Sequence, residues 1–158
     1  MKNLTIRHAK PEDTDLVLRF IKSLSVYEKM EHRVIATRER LHEALFIKKY
    51  AEVLLACENS TPVGFALFFS TFSTFQSNAN LYLEDLFIDE AYRGKGYGKA
   101  LLKELSKITL ERGYARLDWS CLDWNQPSID FYEKLGAKQT KEWLHFRLEG
   151  NALKTLAK

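Results

Sequence analysis

Three glycines at alternate positions, Gly94, Gly96 and Gly98, stand between a strand-like run at 81–88 and an amphipathic helical pattern, with Arg93, Lys95, Tyr97 and Lys99 interleaved among them. Glycine lets a backbone curl through positive φ and leaves its amide hydrogens uncovered. Where a helix begins directly afterwards, those donors and the positive end of the helix dipole converge on one point, and that point suits a phosphate. Arg93, Lys95 and Lys99 add side-chain charge, and an arginine can grip a phosphate with two parallel hydrogen bonds. A plain turn would also use such glycines, so the flanking strand and helix decide for the binding loop. A Walker loop would end in Gly-Lys-Ser/Thr, and a dinucleotide loop would follow the first strand with an acidic residue about 20 positions on. This chain has neither arrangement.

Two carboxylates, Glu84 and Asp85, lie inside the otherwise apolar run Leu81–Ile88. A carboxylate is costly to bury in such a strand without a purpose, and desolvation would make it a stronger base, so Glu84 is the candidate base. Pairing with a core arginine is the structural alternative. Strand alternation sends Asp85 to the opposite face, as a structural residue. Ser128 and Tyr132 are four apart in a helical pattern and share a face. By itself Tyr132 reads as core packing. Asn125 can cap that helix or bind a ligand, and the two roles are compatible. His8, His32, His42 and His145 are scattered without ligand spacing, and no metal site is expected.

The elements that must position these groups follow from period and punctuation. Leu4–His8 reads as a strand; Pro11-Glu12-Asp13 opens a helix with Leu16, Val17, Phe20, Ile21 and Leu24 inward. Thr37 caps a shorter helix carrying Leu41, Ala44 and Leu45. Ala51–Cys57 and Val63–Ser70 form a hairpin, Ser73–Asn80 a polar loop, and Leu81–Ile88 a central strand. The helix after the glycine loop buries Tyr97, Leu101, Leu105 and Ile108 and stops at Gly113. Arg116–Cys121 is a strand, Pro127–Leu135 a helix closed by Gly136, and Trp143–Leu148 a last strand. The alternation predicts a single α/β layered domain over residues 1–158, without repeats or linkers.

The Arg-Gly-x-Gly-x-Gly loop behind Leu83-Glu84-Asp85-Leu86-Phe87-Ile88 resembles the pyrophosphate-binding motif of the GNAT superfamily of acetyl-CoA-dependent N-acetyltransferases. Ser25–Glu31, Leu81–Asp85 and Asp123–Tyr132 resemble, in order and spacing, the spermidine/spermine and thialysine N-acetyltransferase branch. The resemblance implies a GNAT fold, a mixed, mostly antiparallel sheet splayed at its centre with helices on both faces. It also implies direct acetyl transfer in a ternary complex. Such transfer needs a neutral amine, a stabilised oxyanion and a proton for the departing thiolate. A lysine-like amine near pKa 10.4 is deprotonated only about one part in 10^3.4 at pH 7, a deficit of about 4.6 kcal/mol. Glu84 would take the family's role of drawing off that proton through water, and Tyr132 that of general acid to the sulfur. Leu86, Phe87 and Ile88 would pair with the pantetheine like an added strand, with Asn125 and Ser128 also toward acetyl-CoA. Tyr27, Glu28 and Glu84, with Asp118, Trp119 and Ser120 opposite, would line the amine site, although Glu28 also reads as a solvated helix-end charge. A homodimer with its contact near Trp143–Leu148 is implied too.

Departures from the pattern narrow the substrate. Polyamine enzymes carry an acidic residue before the Glu-Asp strand, whereas no carboxylate occurs from Ser70 through Asn80 here. Lys29 adds a positive charge beside Glu28. Both favour a thialysine-like amine over a polyamine. A protein or peptide amine is the enzymatic alternative, and a non-catalytic acyl-CoA sensor, free to lose Glu84 and Tyr132, a more distant one. The formal charge of +3 is interspersed with acids, which speaks against a nucleic-acid surface. At 158 residues the chain buries roughly 70% of its unfolded surface and needs no disulfide. Cys57 and Cys121 read as buried thiols of a reduced cytosol, and without a long apolar window no membrane contact is expected.

Overall fold

Leu4–His8 forms strand β1, and a 3-10 turn at Pro11–Asp13 starts helix α1, Thr14–Tyr27. Arg7 forks onto the Asp13 carboxylate at 2.7 and 2.8 Å, which fixes where α1 leaves the sheet. The Thr37 hydroxyl accepts from the Arg40 amide and caps α2, Arg38–His42, which runs on as a π-helical turn at Glu43–Ile47. Strands β2 (Glu52–Glu58), β3 (Thr61–Ser73) and β4 (Asn78–Ile88) follow, then α3 (Tyr97–Glu111) and β5 (Leu117–Trp119). Helices α4 (Gln126–Lys134) and α5 (Gly150–Leu156) complete the chain. The computed structural model describes residues 3–158, which divide into one unit running to Ser120 and a second, Cys121–Lys158.

In the first unit the five strands lie in the order β1-β2-β3-β4-β5, antiparallel except for the parallel β4–β5 pair. Alternating residues of β2 and β3 serve opposite faces. Val53, Leu55, Cys57, Phe65 and, from β4, Phe87 meet Val17, Phe20 and Leu24 of α1. Phe20 stacks on Phe65 at 5.5 Å and tilts against Phe87 at 6.3 Å, so α1 lies across β3 and β4. Burying one such phenylalanine contributes about 1.5–3 kcal/mol. Leu54, Ala56 and Ala66, the intervening positions, are buried as well, and α3 brings Leu101 and Leu105 onto the sheet. This is the α/β arrangement expected, with helices on both faces.

Three local expectations are corrected. Only residues 74–77 turn between β3 and β4; Asn78, Ala79 and Asn80 pair with Ser73, Phe72 and Thr71. Backbone ladder bonds are indifferent to side-chain polarity, so a long hairpin absorbed a polar stretch that composition assigned to a loop. The predicted strand Trp143–Leu148 pairs with no strand among the described residues, and helix α5 follows it where the sequence pattern predicts no element. Alternation supplies the pattern of a strand, but a strand exists only where an edge accepts it. Trp143, Leu144 and Phe146 are exposed. So is Cys121, contrary to expectation, whereas Cys57 is buried.

Candidate active site

Pairing between β4 and β5 covers only Leu81–Leu83 of β4, opposite Leu117–Trp119. From Glu84 to Ile88 the strand keeps β3 on one side and has no strand on the other among the described residues. The release coincides with a bulge. Leu67 pairs with Asp85 and Phe68 with Leu83, so Glu84 is the extra residue on β4. Beyond it Gly64 lets β3 approach closely, since a Cβ there would come within 2.5 Å of the Phe87 carbonyl oxygen. Leu86, Phe87 and Ile88 are thus held firmly from one side only.

The bulge redistributes the two acids. Glu84, expected to be desolvated, is exposed, while Asp85, expected as a structural residue on the far face, is half-buried. Burial, reinforced by the negative charges of Glu84 and Glu28, pushes the Asp85 carboxyl up to about 7. Glu28, half-buried just past the end of α1, is raised too, by burial first and by Glu84 second. Three carboxyl groups from two elements therefore feel one another at the released end of β4, a field that attracts an ammonium group.

This arrangement makes stability pH-dependent. A carboxyl raised to about 7 in the folded chain, against roughly 3.9 unfolded, keeps its proton longer when folded, so stability falls as pH climbs from about 4 to 7. The full shift corresponds to at most about 4 kcal/mol, reduced where water screens the neighbouring charges. Denaturant titrations at pH 5 and pH 8 are expected to show Asp85→Asn gaining on the wild type at pH 8. Equal differences at both pH values would place Asp85 in contact with water.

The glycine loop curls as its sequence requires. Gly94 (φ 76°) and Gly96 (φ 84°) are left-handed, and Gly96 is the N-cap of α3. Among the described residues no side chain caps this helix, and its first backbone bond reaches Gly96 O from Ala100 N at 3.0 Å. The amides of Tyr97, Gly98 and Lys99 precede that bond, so the loop fits an anion, as a pyrophosphate would need. The side chains are used differently from expectation. Arg93 donates through Nε to the Ile88 carbonyl at 3.0 Å, and its guanidinium lies 4.7 Å from the Tyr27 ring centre. Lys95 is held by Glu58, while Lys99 is exposed and makes no ion pair among the described residues. Arg93 thereby ties the glycine loop to Tyr27, a connection that no sequence spacing announced.

Along β5, Asp118 accepts from Arg116 Nε at 2.6 Å, and the Ser120 hydroxyl meets the Tyr82 hydroxyl at 2.8 Å. Trp119 is half-buried between them in sequence. In the second unit Asn125 is buried and its Oδ1 accepts from the Ser128 amide, so the capping role is realised on α4. Ser128 and Tyr132 sit one turn apart on that helix, both half-buried. Gly136 (φ 91°) ends it, with Ala137 N donating to Tyr132 O at 3.2 Å.

The sequence model of the Acetyltransferase (GNAT) family matches residues 18–137. The chain is 34% identical to the thialysine N-epsilon-acetyltransferase of Sus scrofa, covering 99% of both chains. It is 30% identical to the L-ornithine N5-acetyltransferase NATA1 of Arabidopsis thaliana, over 97% of this chain and 87% of that protein. An integron cassette protein from the mobile metagenome of V. cholerae has a solved structure that superposes with a TM-score of 0.82 at 30% identity, over 99% of this chain and 98% of its own.

Proposed function

Because the chain belongs to the Acetyltransferase (GNAT) family and is an acetyl-transferring enzyme, we propose that it moves an acetyl group from acetyl-CoA to a primary amine of a small molecule, with both substrates bound together. The observation that carries this reading is the course of β4. One backbone leads from a cluster of carboxyl groups, along an edge that β5 has released, into an uncapped helix start built on two left-handed glycines. Amine, acyl arm and pyrophosphate would be served in that order. The thioester supplies an activated acetyl group, and the chain supplies the rest.

In this reading the backbone of Leu86, Phe87 and Ile88 lies along the pantetheine, and the amides of Gly94 to Lys99 with the Lys99 ammonium hold the phosphates. Asn125 and Ser128 also serve acetyl-CoA. Glu28, Glu84 and Asp85 draw in the cationic amine, and Tyr27, Asp118, Trp119 and Ser120 line its site. Glu84 takes the amine's proton through water, since direct transfer to an exposed carboxylate is steeply uphill. Tyr132 returns a proton to the thiolate.

The acceptor is a short amino-acid amine of the thialysine or ornithine type. Relatives named for those substrates match the chain over nearly its whole length. The polar hairpin end that replaces an acidic loop lies six positions from Glu84, about 20 Å along a strand, and brings no carboxylate to it. Assays of thialysine, ornithine, putrescine, spermidine, spermine and basic peptides are expected to give the highest kcat/KM for the two amino acids. A preference for spermine or for peptides would overturn the assignment of substrate.

The same reading includes a homodimer joined near Trp143–Leu148, supported by the exposed apolar side chains Leu144 and Phe146 in a segment patterned as a strand. Sedimentation is expected to give twice the chain mass; a monomer at all concentrations would remove it.

A further inference from the structure

Glu58 closes strand β2, where backbone pairing with Leu4 of β1 and Thr61 of β3 fixes it at the head of a tight hairpin. Its carboxylate is only 21% exposed and reaches into the glycine loop. Lys95 Nζ donates to Oε1 at 3.0 Å and approaches Oε2 at 3.3 Å, and the Tyr97 hydroxyl donates to Oε1 as well. The Lys95 ammonium also lies 4.8 Å from the centre of the Tyr92 ring. Lys95 stands between the two left-handed glycines, and buried Tyr97 is the first residue of α3. One carboxylate thus grips the loop from inside its curl and from its exit, while Arg93 fastens the entry to Ile88.

We propose that Glu58 is a positioning residue for the phosphate loop, pinning Lys95 and Tyr97 so that the curl between Gly94 and Gly96 stands ready to receive a pyrophosphate on its backbone amides. The proposal rests on the acetyl-CoA reading above and adds a residue distant from it in sequence. Its physical content is preorganisation. Two charge-assisted hydrogen bonds fix a glycine-rich segment that would otherwise lose its conformational freedom only on binding, and that cost would weaken the complex. It also assigns Lys95 to the protein rather than to the phosphates, so recognition falls on amides and Lys99.

Two measurements on Glu58→Gln, Lys95→Met and the double variant decide it. Amide hydrogen exchange of residues 93–99 in the protein without acetyl-CoA is expected to quicken in all three. Kd and KM for acetyl-CoA are expected to rise about tenfold in each, without further loss in the double variant. S-acetylpantetheine, which lacks the pyrophosphate, should lose less than about twofold in kcat/KM, because the loop does not touch it. Unchanged exchange and affinity would overturn the proposal. So would equal losses with both donors, which mark general damage to the fold. Tighter acetyl-CoA binding with a steeper salt dependence in Glu58→Gln would overturn it too, because Lys95 would then be a phosphate ligand held in reserve. If wild-type protein binds no acetyl-CoA, the proposed function fails, while the exchange measurement still reports whether Glu58 orders the loop.

Discussion

Tyr132→Phe is expected to lower kcat about 100-fold or more while the dissociation constant for acetyl-CoA stays within a factor of about two. The substitution keeps the ring, and with it the packing against Phe131 at 5.3 Å, but removes the one proton the side chain can give. Coenzyme thiols leave as thiolates with pKa near 8.5, and a phenol near 10 can protonate one at a cost of about 2 kcal/mol, which makes tyrosine a matched acid for this step. Helix α4 gives Tyr132 a fixed place, since Asn125 caps the start of the helix and Gly136 closes its end. The measurement is single-turnover transfer across pH, so that product release does not mask chemistry. Full turnover by Tyr132→Phe at every pH would remove Tyr132 as the acid.

Gly96→Val is expected to abolish acetyl-CoA binding in a chain that still folds, as followed by calorimetry. Gly96 has φ 84°, where a β-branched side chain is strained, and it is also the N-cap from which α3 starts. To relieve the strain the loop must rotate the amides on either side of Gly96 away from their common focus. Relaxation is hindered because Lys95 and Tyr97, its two neighbours, are tied to Glu58. An unchanged affinity in folded Gly96→Val would take the loop out of the acetyl-CoA site altogether.

What the sequence made legible, and what it hid, divides along one line. The glycine loop, helices α1 and α3 and the capped α4 depend on φ preferences, apolar period and side chains within a few residues, and each lies where the sequence pointed. The exchange of exposure between Glu84 and Asp85 depends on a bulge whose cause is the register with Leu67 and Phe68 on another strand. The partners of Arg93 and Lys95 are the Ile88 carbonyl and the Glu58 carboxylate, neither of which a charge count near the glycines can find. Strand pairing decided the remainder. It drew Asn78–Asn80 into β4 and left Trp143–Leu148 without a ladder among the described residues, though both stretches read the other way in isolation.

The released half of β4 bears on how this chain would be handled and stored. A strand with one side of its backbone unpaired is a template for any other extended chain, including another copy of itself, and proteins defend such edges with bulges and inward charge. Here the defence and the proposed chemistry share residues, for the bulge is Glu84 and the charge is Glu84 with Asp85. Neutralising both acids would therefore remove a guard against aggregation as well as the attraction for the amine. A ligand lying along Leu86 to Ile88, as proposed for acetyl-CoA, would restore that guard, so adding acetyl-CoA to the storage buffer is expected to keep variants altered at these two positions from aggregating.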